Sequence, residues 1–500
     1  MSRSITCKLQ VILYKNVNVC ITQKGSLYEK TDKRISEKNE APVKVLQFGE
    51  GNFMRGFIDW QIQQLNNQQL FKGNVAIIQP LEQGLGNMMN QQDNLYTVIL
   101  QGLSNGEIVD TSEIITVVEQ MINPYDEWDA YLSLAENDDL AYIVSNTTEA
   151  GIQFVETDNL TDTPPQSFPG KLTAFLYRRF KLNKAGFTII PCELIDRNGE
   201  RLKEIILRYA EKWDLEPAFV EWLEKENVFC CSLVDRIVPG YPREDAGVFN
   251  QRHNYEDQLM VKAEPFMLWV IEGPKELENQ LPFKQAGLNV IITDDMTPYR
   301  ERKVHLLNGP HTAMVPLALL AELETVEEVM KDPLFSAYVD QLFNLELIPM
   351  LSLPKDELAI YADQIKERFL NPFAHHKLEA ISLNSVSKFS TRLLPVFKKY
   401  IEEQNQVPPL ITVSLAALLL MYRGDQVKPH DDEKTISEFT DAWSDNGTAI
   451  PRLLQNAALW GEDLSQIPNV TDTVQEIAAK IDQKGVRSVL QEMKGTMVHA

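Results

Sequence analysis

Residues 43–78 read VKVLQFGEGNFMRGFIDWQIQQLNNQQLFKGNVAII, and their pattern decides the fold. Val43–Phe48 is a short apolar run closed by glycine, after which Phe57, Ile58, Ile62 and Leu65 recur at helical spacing. A second apolar run, Asn74–Ile78, completes strand, tight turn, helix and strand, a βαβ unit of ordinary length. Gly49-Glu-Gly51 sits at the turn. The first glycine of such a pair permits the sharp turn, and the second lets a pyrophosphate reach the amides at the helix N-terminus. The usual third glycine position holds Met54, and the next glycine is Gly56. Alone, then, the turn also fits an ordinary strand-to-helix connection.

Dinucleotide folds often place an acid for the ribose hydroxyls at the end of the second strand. Here that stretch reads IIQPLEQG, with Gln79 at the expected position, Glu82 just beyond, and no arginine for a 2'-phosphate. The loop SNTTEAG at 145–151 follows another strand candidate, and its Asn146 and Thr147 can hydrogen-bond ribose or nicotinamide. An ordinary turn uses the same residue types.

Outward from this unit, strands are expected at Leu95–Leu100, Ile114–Val118, Leu140–Val144 and Phe187–Pro191, with helices at Asp126–Ala135 and Lys171–Phe180. From Arg201 the pattern turns mainly helical, and the segments 313–331, 353–369, 375–400 and 409–423 each carry helical spacing. The expected fold class is α/β: an N-terminal Rossmann-type dinucleotide-binding domain followed by a mainly α-helical C-terminal domain. Its divisions are a polar extension at 1–40, a dinucleotide-binding domain with helical additions at 41–300, and a helical substrate and catalytic domain at 301–500.

Composition bounds the function. At 500 residues the chain exceeds the usual size of a single core. With 44% hydrophobic and 24% charged residues it has a globular make-up. Its formal net charge of -23, from 71 acidic and 48 basic residues, disfavours nucleic acid as a partner and requires any anionic ligand to meet a local pocket. Cys7, Cys20, Cys192, Cys230 and Cys231 form neither a disulfide framework nor a CxxC pair, which points to a reducing, cytoplasmic setting. The apolar piece VILYKNVNVCI is too short and polar to span a bilayer, so no membrane role is expected. No histidine cluster has zinc spacing, and no metal is expected, His375 and His376 included.

A second stretch, KVHLLNGPHT at 303–312, crowds Lys303, Asn308 and His311 before an apolar run. A desolvated lysine can exchange a hydroxyl proton, and amide or imidazole donors can stabilise charge on an oxygen. On an unbroken helix Asn308 and His311 would lie about 140° and 80° around the axis from Lys303. Gly309 and Pro310 instead suggest a helix that begins there, capped by Asn308, with the lysine on its approach. The plain alternatives are a capping asparagine, a packed histidine and a surface lysine.

Taken together, the two stretches resemble the polyol-specific long-chain dehydrogenases, the mannitol dehydrogenase family. The GxGNFxR signature is present as Gly49, Gly51, Asn52, Phe53 and Arg55, and Lys-x4-Asn-x2-His as Lys303, Asn308 and His311. The blocks IIPCELIDRNG (189–199), LVDRIVPGYPR (233–243), EPFMLWVIEGPK (264–275) and HKLEAISLNSVSKFSTR (376–392) are similar to the uronate-specific branch. Leu194 stands where polyol-specific members carry an asparagine, and Asn384 where relatives often have aspartate.

The resemblance implies NAD as cofactor and interconversion of D-tagaturonate with D-altronate, without a metal. It makes Lys303 the general acid or base, with Asn308 and His311 polarising the substrate oxygen. Phe48, Gly49, Gly51, Asn52, Phe53, Arg55, Asn146 and Thr147 fall to the cofactor. Asp235, His376, Lys388 and Arg392 fall to the substrate, a hexuronate-derived sugar acid, with Lys388 the first choice for its carboxylate. The implied assembly is a monomer or homodimer.

Overall fold

The computed structural model describes residues 29–30, 36, 38, 40–445 and 447–497. Most of the expected 1–40 extension, with Cys7 and Cys20, lies outside the described residues.

Six parallel strands form the central sheet, in the spatial order Val118–Ile122, Asn74–Ile78, Val43–Phe48, Tyr142–Ser145, Thr188–Pro191 and Val228–Phe229. In chain order this is 3-2-1-4-5-6, the doubly wound arrangement whose crevice opens beyond the carboxyl ends of the first and fourth strands. Alternation along Val43–Phe48 feeds two cores. Val45 packs with Phe57 and Ile62 on one face, while Leu46 and Phe48 pack with Leu172 and Phe175 on the other. Both faces are therefore covered, as a parallel sheet requires.

The helix after the glycine turn runs Asn52–Met54, widens into a π turn over Arg55–Asp59, and resumes as Trp60–Asn67. Where one strand is expected at Ile114–Val118, the structure has the end of a long hairpin, Tyr96–Ser104 with Glu107–Ile115, and the start of Val118–Ile122. The hairpin's second strand, EIVDTSEII, is largely exposed, so it carries little of the apolar signal that marks a buried strand.

The C-terminal half is helical and packs around Pro409–Met421, whose residues from Leu410 onward are buried on all sides. The expected helix over 375–400 is three: Leu378–Ser382, Ser385–Arg392 and Leu394–Gln404. Left-handed Asn384 and Pro395 in the first turn of the third account for the breaks. Likewise 313–331 divides into Gly309–Leu320 and Val326–Lys331, the latter opened by a capping box between Thr325 and Glu328.

Helical backbone runs unbroken from Thr297 to Leu320. Thr297–Lys303 passes through a π turn at Val304–Asn308 into Gly309–Leu320. Asn308 is helical, with φ -81° and ψ -29°, and its side chain caps nothing. The widened turn explains the difference from the expected fresh start. Pro310 has no N–H to give, and a π turn, closed by the Gly309 N–H on the Val304 carbonyl, absorbs the mismatch without ending the helix.

Candidate active site

At the glycine turn Gly49 has φ +112°, and a Cβ there would lie 2.7 Å from the Asn146 carbonyl oxygen. This contact joins the carboxyl ends of the first and fourth strands at the switch point. Gly51 faces open space, with nothing within 4 Å of a Cβ position, and no side chain caps the helix that follows. Free first-turn amides beside an open glycine fit a pyrophosphate. Phe48 is core, and Phe53 and Asn146 line the adjoining cleft. The Asn146 amide donates to the Cys192 carbonyl, and Thr147 is held through its amide and hydroxyl by buried Glu193.

Arg55 points beneath the turn. It donates to the Glu50 carbonyl at 3.0 Å, to Asn52 Oδ1 at 2.8 Å, and to the Leu259 carbonyl, with its guanidinium over the Tyr96 ring. Below it, buried Asp59 accepts from the Tyr96 hydroxyl at 2.6 Å, and burial lifts its carboxyl to about 7. Gln79 is consumed by its own loop: it donates to the Leu81 and Glu82 carbonyls and accepts from the Gly86 amide. Glu50 reaches the same loop, where its carboxylate accepts from the Leu85 amide at 3.3 Å.

The cleft holds about 310 Å³ and is lined by Phe53, Asn146, Thr148, Glu149, Leu194, Val234, Asp235, Arg236 and Lys303. A second cleft of about 160 Å³ shares Leu194 and Lys303 and is also lined by Val304 and Asn308. The π turn thus brings Asn308 onto the Lys303 side, where an α-helix would set them about 140° apart.

Lys303 donates to the Val234 carbonyl at 2.8 Å. Burial lowers its pKa, Asp235 works the other way, and Arg368 adds to the lowering. Behind it lies a buried network. Arg368 binds Asp235 bidentately at 2.9 and 3.0 Å and Glu264 at 2.8 and 3.0 Å, and Tyr361 donates to Asp235 at 3.3 Å. Burial would raise the Asp235 carboxyl, but Arg368 and Lys303 outweigh it and hold Asp235 below its usual range.

The His311 ring packs tilted against Phe369, with centroids 4.2 Å apart, and lies 6.2 Å from the His376 ring. Burial, then His376, Arg368 and Arg392, push it down to about 3, so it is neutral at pH 7. Its Nε2 is buried without a partner, and the ring lines neither of the two clefts. Arg392 and Lys388 share the helix Ser385–Arg392. Arg392 donates to Thr312 Oγ1 at 3.3 Å, and Lys388 to the Ile381 carbonyl at 2.9 Å.

Sequence reasoning assigned no role to Glu50, Glu264, Tyr361 or Arg368. The last two are seven apart on Lys355–Phe369 and share a face, the one signal that links them. Asp235 and Glu264 come from elsewhere in the chain, so no spacing announces their meeting. Glu200, Cys231 and Glu272 also come together, but Arg197 already pairs with both carboxylates. Cys192, Cys230 and Cys231 are free thiols, all buried.

Comparison with known proteins accords with this geometry. The mannitol dehydrogenase Rossmann domain matches residues 43–285, and the mannitol dehydrogenase C-terminal domain matches 295–483. The class is an oxidoreductase that acts on a CH–OH group with a nicotinamide dinucleotide. The altronate oxidoreductase of Bacillus subtilis is 44% identical over 90% of this chain and 95% of its own length. That of Bacteroides thetaiotaomicron is 40% identical over 93% and 99%. The chain belongs to the mannitol dehydrogenase family.

Among solved structures, a D-sorbitol dehydrogenase in substrate-free form is 21% identical, with TM-score 0.78 over 93% of this chain and 98% of its own. Pseudomonas fluorescens mannitol 2-dehydrogenase, in a ternary complex with NAD and D-mannitol, is 20% identical with TM-score 0.65, over 94% and 97%. Both share the fold. No helix among the described residues is long and apolar enough to cross a membrane.

Proposed function

We propose that this chain interconverts D-tagaturonate and D-altronate with NAD, through proton transfer at Lys303 and without a metal. The observation that carries the reading is the seam at 303–311. A lysine whose pKa is lowered by burial shares a cleft wall with Asn308, and three residues on lies a neutral histidine whose buried Nε2 has no partner. The relatives named altronate oxidoreductase, matched over nearly their whole length, support the substrate.

The turn Gly49–Arg55 with Asn146 and Thr147 would hold the cofactor, which when bound supplies or accepts hydride at the substrate carbon. Lys303 Nζ gives a proton to the carbonyl oxygen in reduction and takes it back in oxidation. Asn308 and His311 donate to that oxygen, where charge develops, and cost no reorganisation because the helix and Phe369 already hold them. Asp235 keeps enough positive character on Lys303 for it to act as an acid. A preference for NAD rests on Glu50 at the ribose loop and on the lack of any lysine or arginine in 76–83 to meet a 2'-phosphate. The change from cofactor to substrate domain is set near residue 300, and the protein works in the cytoplasm as a monomer or homodimer.

The test is oxidation of NADH and NADPH with tagaturonate, fructuronate and fructose side by side, before and after exhaustive chelation. The expected result is the highest kcat/KM for tagaturonate with NADH, unchanged by the chelator. Preference for fructuronate or fructose would move the enzyme to a sibling activity. Cofactor binding without turnover of any of the three would leave a silent dinucleotide-binding protein.

A further inference from the structure

Near the seam most guanidinium groups are already committed. Arg302 pairs with Glu357 at 2.6 Å, Arg300 with Asp196, and Arg368 with Asp235 and Glu264. Arg236 donates to the carbonyls of Glu264 and Gly56, each at 2.8 Å, and although its buried Nη2 has no partner, the Glu264 carboxylate offsets its charge.

Arg392 differs. It is half-buried at the end of Ser385–Arg392, its one side-chain bond is the 3.3 Å contact to Thr312 Oγ1, and among the described residues it has no carboxylate partner. Burial depresses its pKa, and no acid offsets the effect. An unpaired cation withdrawn from water is costly unless an anion joins it. In a chain of net charge -23 a carboxylate partner would be easy to provide, so an arginine left without one is informative.

Its position points to the occupant. Thr312 is next to His311, and its hydroxyl donates to the Asn308 carbonyl at 2.9 Å, so Arg392 bears on the helix surface that carries both proposed oxygen donors. The Arg392 carbonyl is 2.8 Å from His305 Nδ1, which pins this helix end to the π turn. Lys388, one turn earlier, spends its ammonium on the Ile381 carbonyl and has Asp431 within electrostatic range.

We propose that Arg392, ahead of Lys388, is the anchor for the substrate's terminal carboxylate. The proposal rests on the reading of the substrate as a sugar acid. A planar guanidinium receives a carboxylate through two parallel hydrogen bonds, and the far end of the sugar is the part that distinguishes tagaturonate from fructose. Hydride transfer happens at the other end, so the anchor acts on affinity and orientation.

The experiment measures kcat/KM for tagaturonate and fructose, and NADH affinity by fluorescence, in wild type, Arg392→Met, Arg392→Lys and Lys388→Met. Arg392→Met should lose about 10²-fold more on tagaturonate than on fructose, as expected for loss of a charge-assisted pair, mostly through KM and with NADH affinity kept. Arg392→Lys should fall between, and free guanidinium should restore part of the tagaturonate rate in Arg392→Met. Lys388→Met should discriminate less. If Arg392→Met does not fold, Arg392→Lys carries the comparison, with an expected selective loss of about tenfold. Equal losses on both substrates, no loss on tagaturonate, or a larger selective loss in Lys388→Met would overturn the anchor while the functional reading stands. Wild-type enzyme that turns over no sugar acid would overturn the reading and the anchor together.

Discussion

The glycine turn and the lysine seam are built alike and were unequally visible. Each involves a π turn inside a longer helix, Arg55–Asp59 just after the glycine turn and Val304–Asn308 within the seam. At the first, the turn stands on a strand whose glycine has a positive φ, and the chain can take that path only with glycine. At the second, Gly309 is ordinary helix, and a Cβ there would meet the Leu393 side chain at 3.5 Å, a normal contact. One glycine is required by backbone geometry, while the other sits at a widened turn that works through the residues around it.

The largest expected effect that tests this contrast is Asp235→Asn. It removes a charge shared by Arg368 and Lys303, and breaking such a buried pair costs about 3–5 kcal/mol. Asp235 raises the Lys303 pKa, so its loss lowers that pKa further, and the acidic limb of the pH–rate profile for alcohol oxidation, where the lysine must be deprotonated to accept the proton, should move to lower pH. An unmoved limb would separate the network from the lysine.

Next come the two glycines. Gly49→Ala forces a side chain to 2.7 Å from the Asn146 carbonyl and should destabilise the protein by roughly 1–3 kcal/mol and weaken NADH binding. Gly309→Ala should be neutral or stabilising by up to about 1 kcal/mol. Thermal unfolding and fluorescence titration of the pair check this, and similar losses at both positions would erase the distinction.

The same contrast explains what could be read in advance. Strand, glycine turn and helix at 43–67 are local, so their spacing carried the Rossmann-type half down to the ends of Val43–Phe48 and Asn74–Ile78. Lys303, Asn308 and His311 were legible as residue types and by resemblance to a family motif. Their geometry was not, because Gly309-Pro310 reads as a helix start and only the π turn makes the helix continuous. The Asp235–Arg368–Glu264 network was hidden for another reason. It joins residues more than a hundred positions apart through tertiary packing, which no periodicity reports.

The smallest effect belongs to Asp59 beneath the glycine turn. Its carboxyl lies at about 7 in the folded protein, raised by burial, against about 4 when unfolded. The stability this provides is complete below pH 4 and lost as pH rises to 7. Asp59→Asn should therefore unfold at a temperature that gains on wild type by roughly 2–4 °C between pH 5 and pH 8. Parallel curves would mean that Asp59 does not titrate in that range.

The central claim, proton exchange by Lys303, is tested most directly by steady-state turnover of Lys303→Ala at neutral pH, with NADH affinity measured in the same preparation. Loss of general acid–base help predicts a fall of about 10²–10⁴ in kcat with NADH affinity unchanged, because the glycine turn is untouched. Near-normal turnover in a variant that still binds NADH would contradict the account.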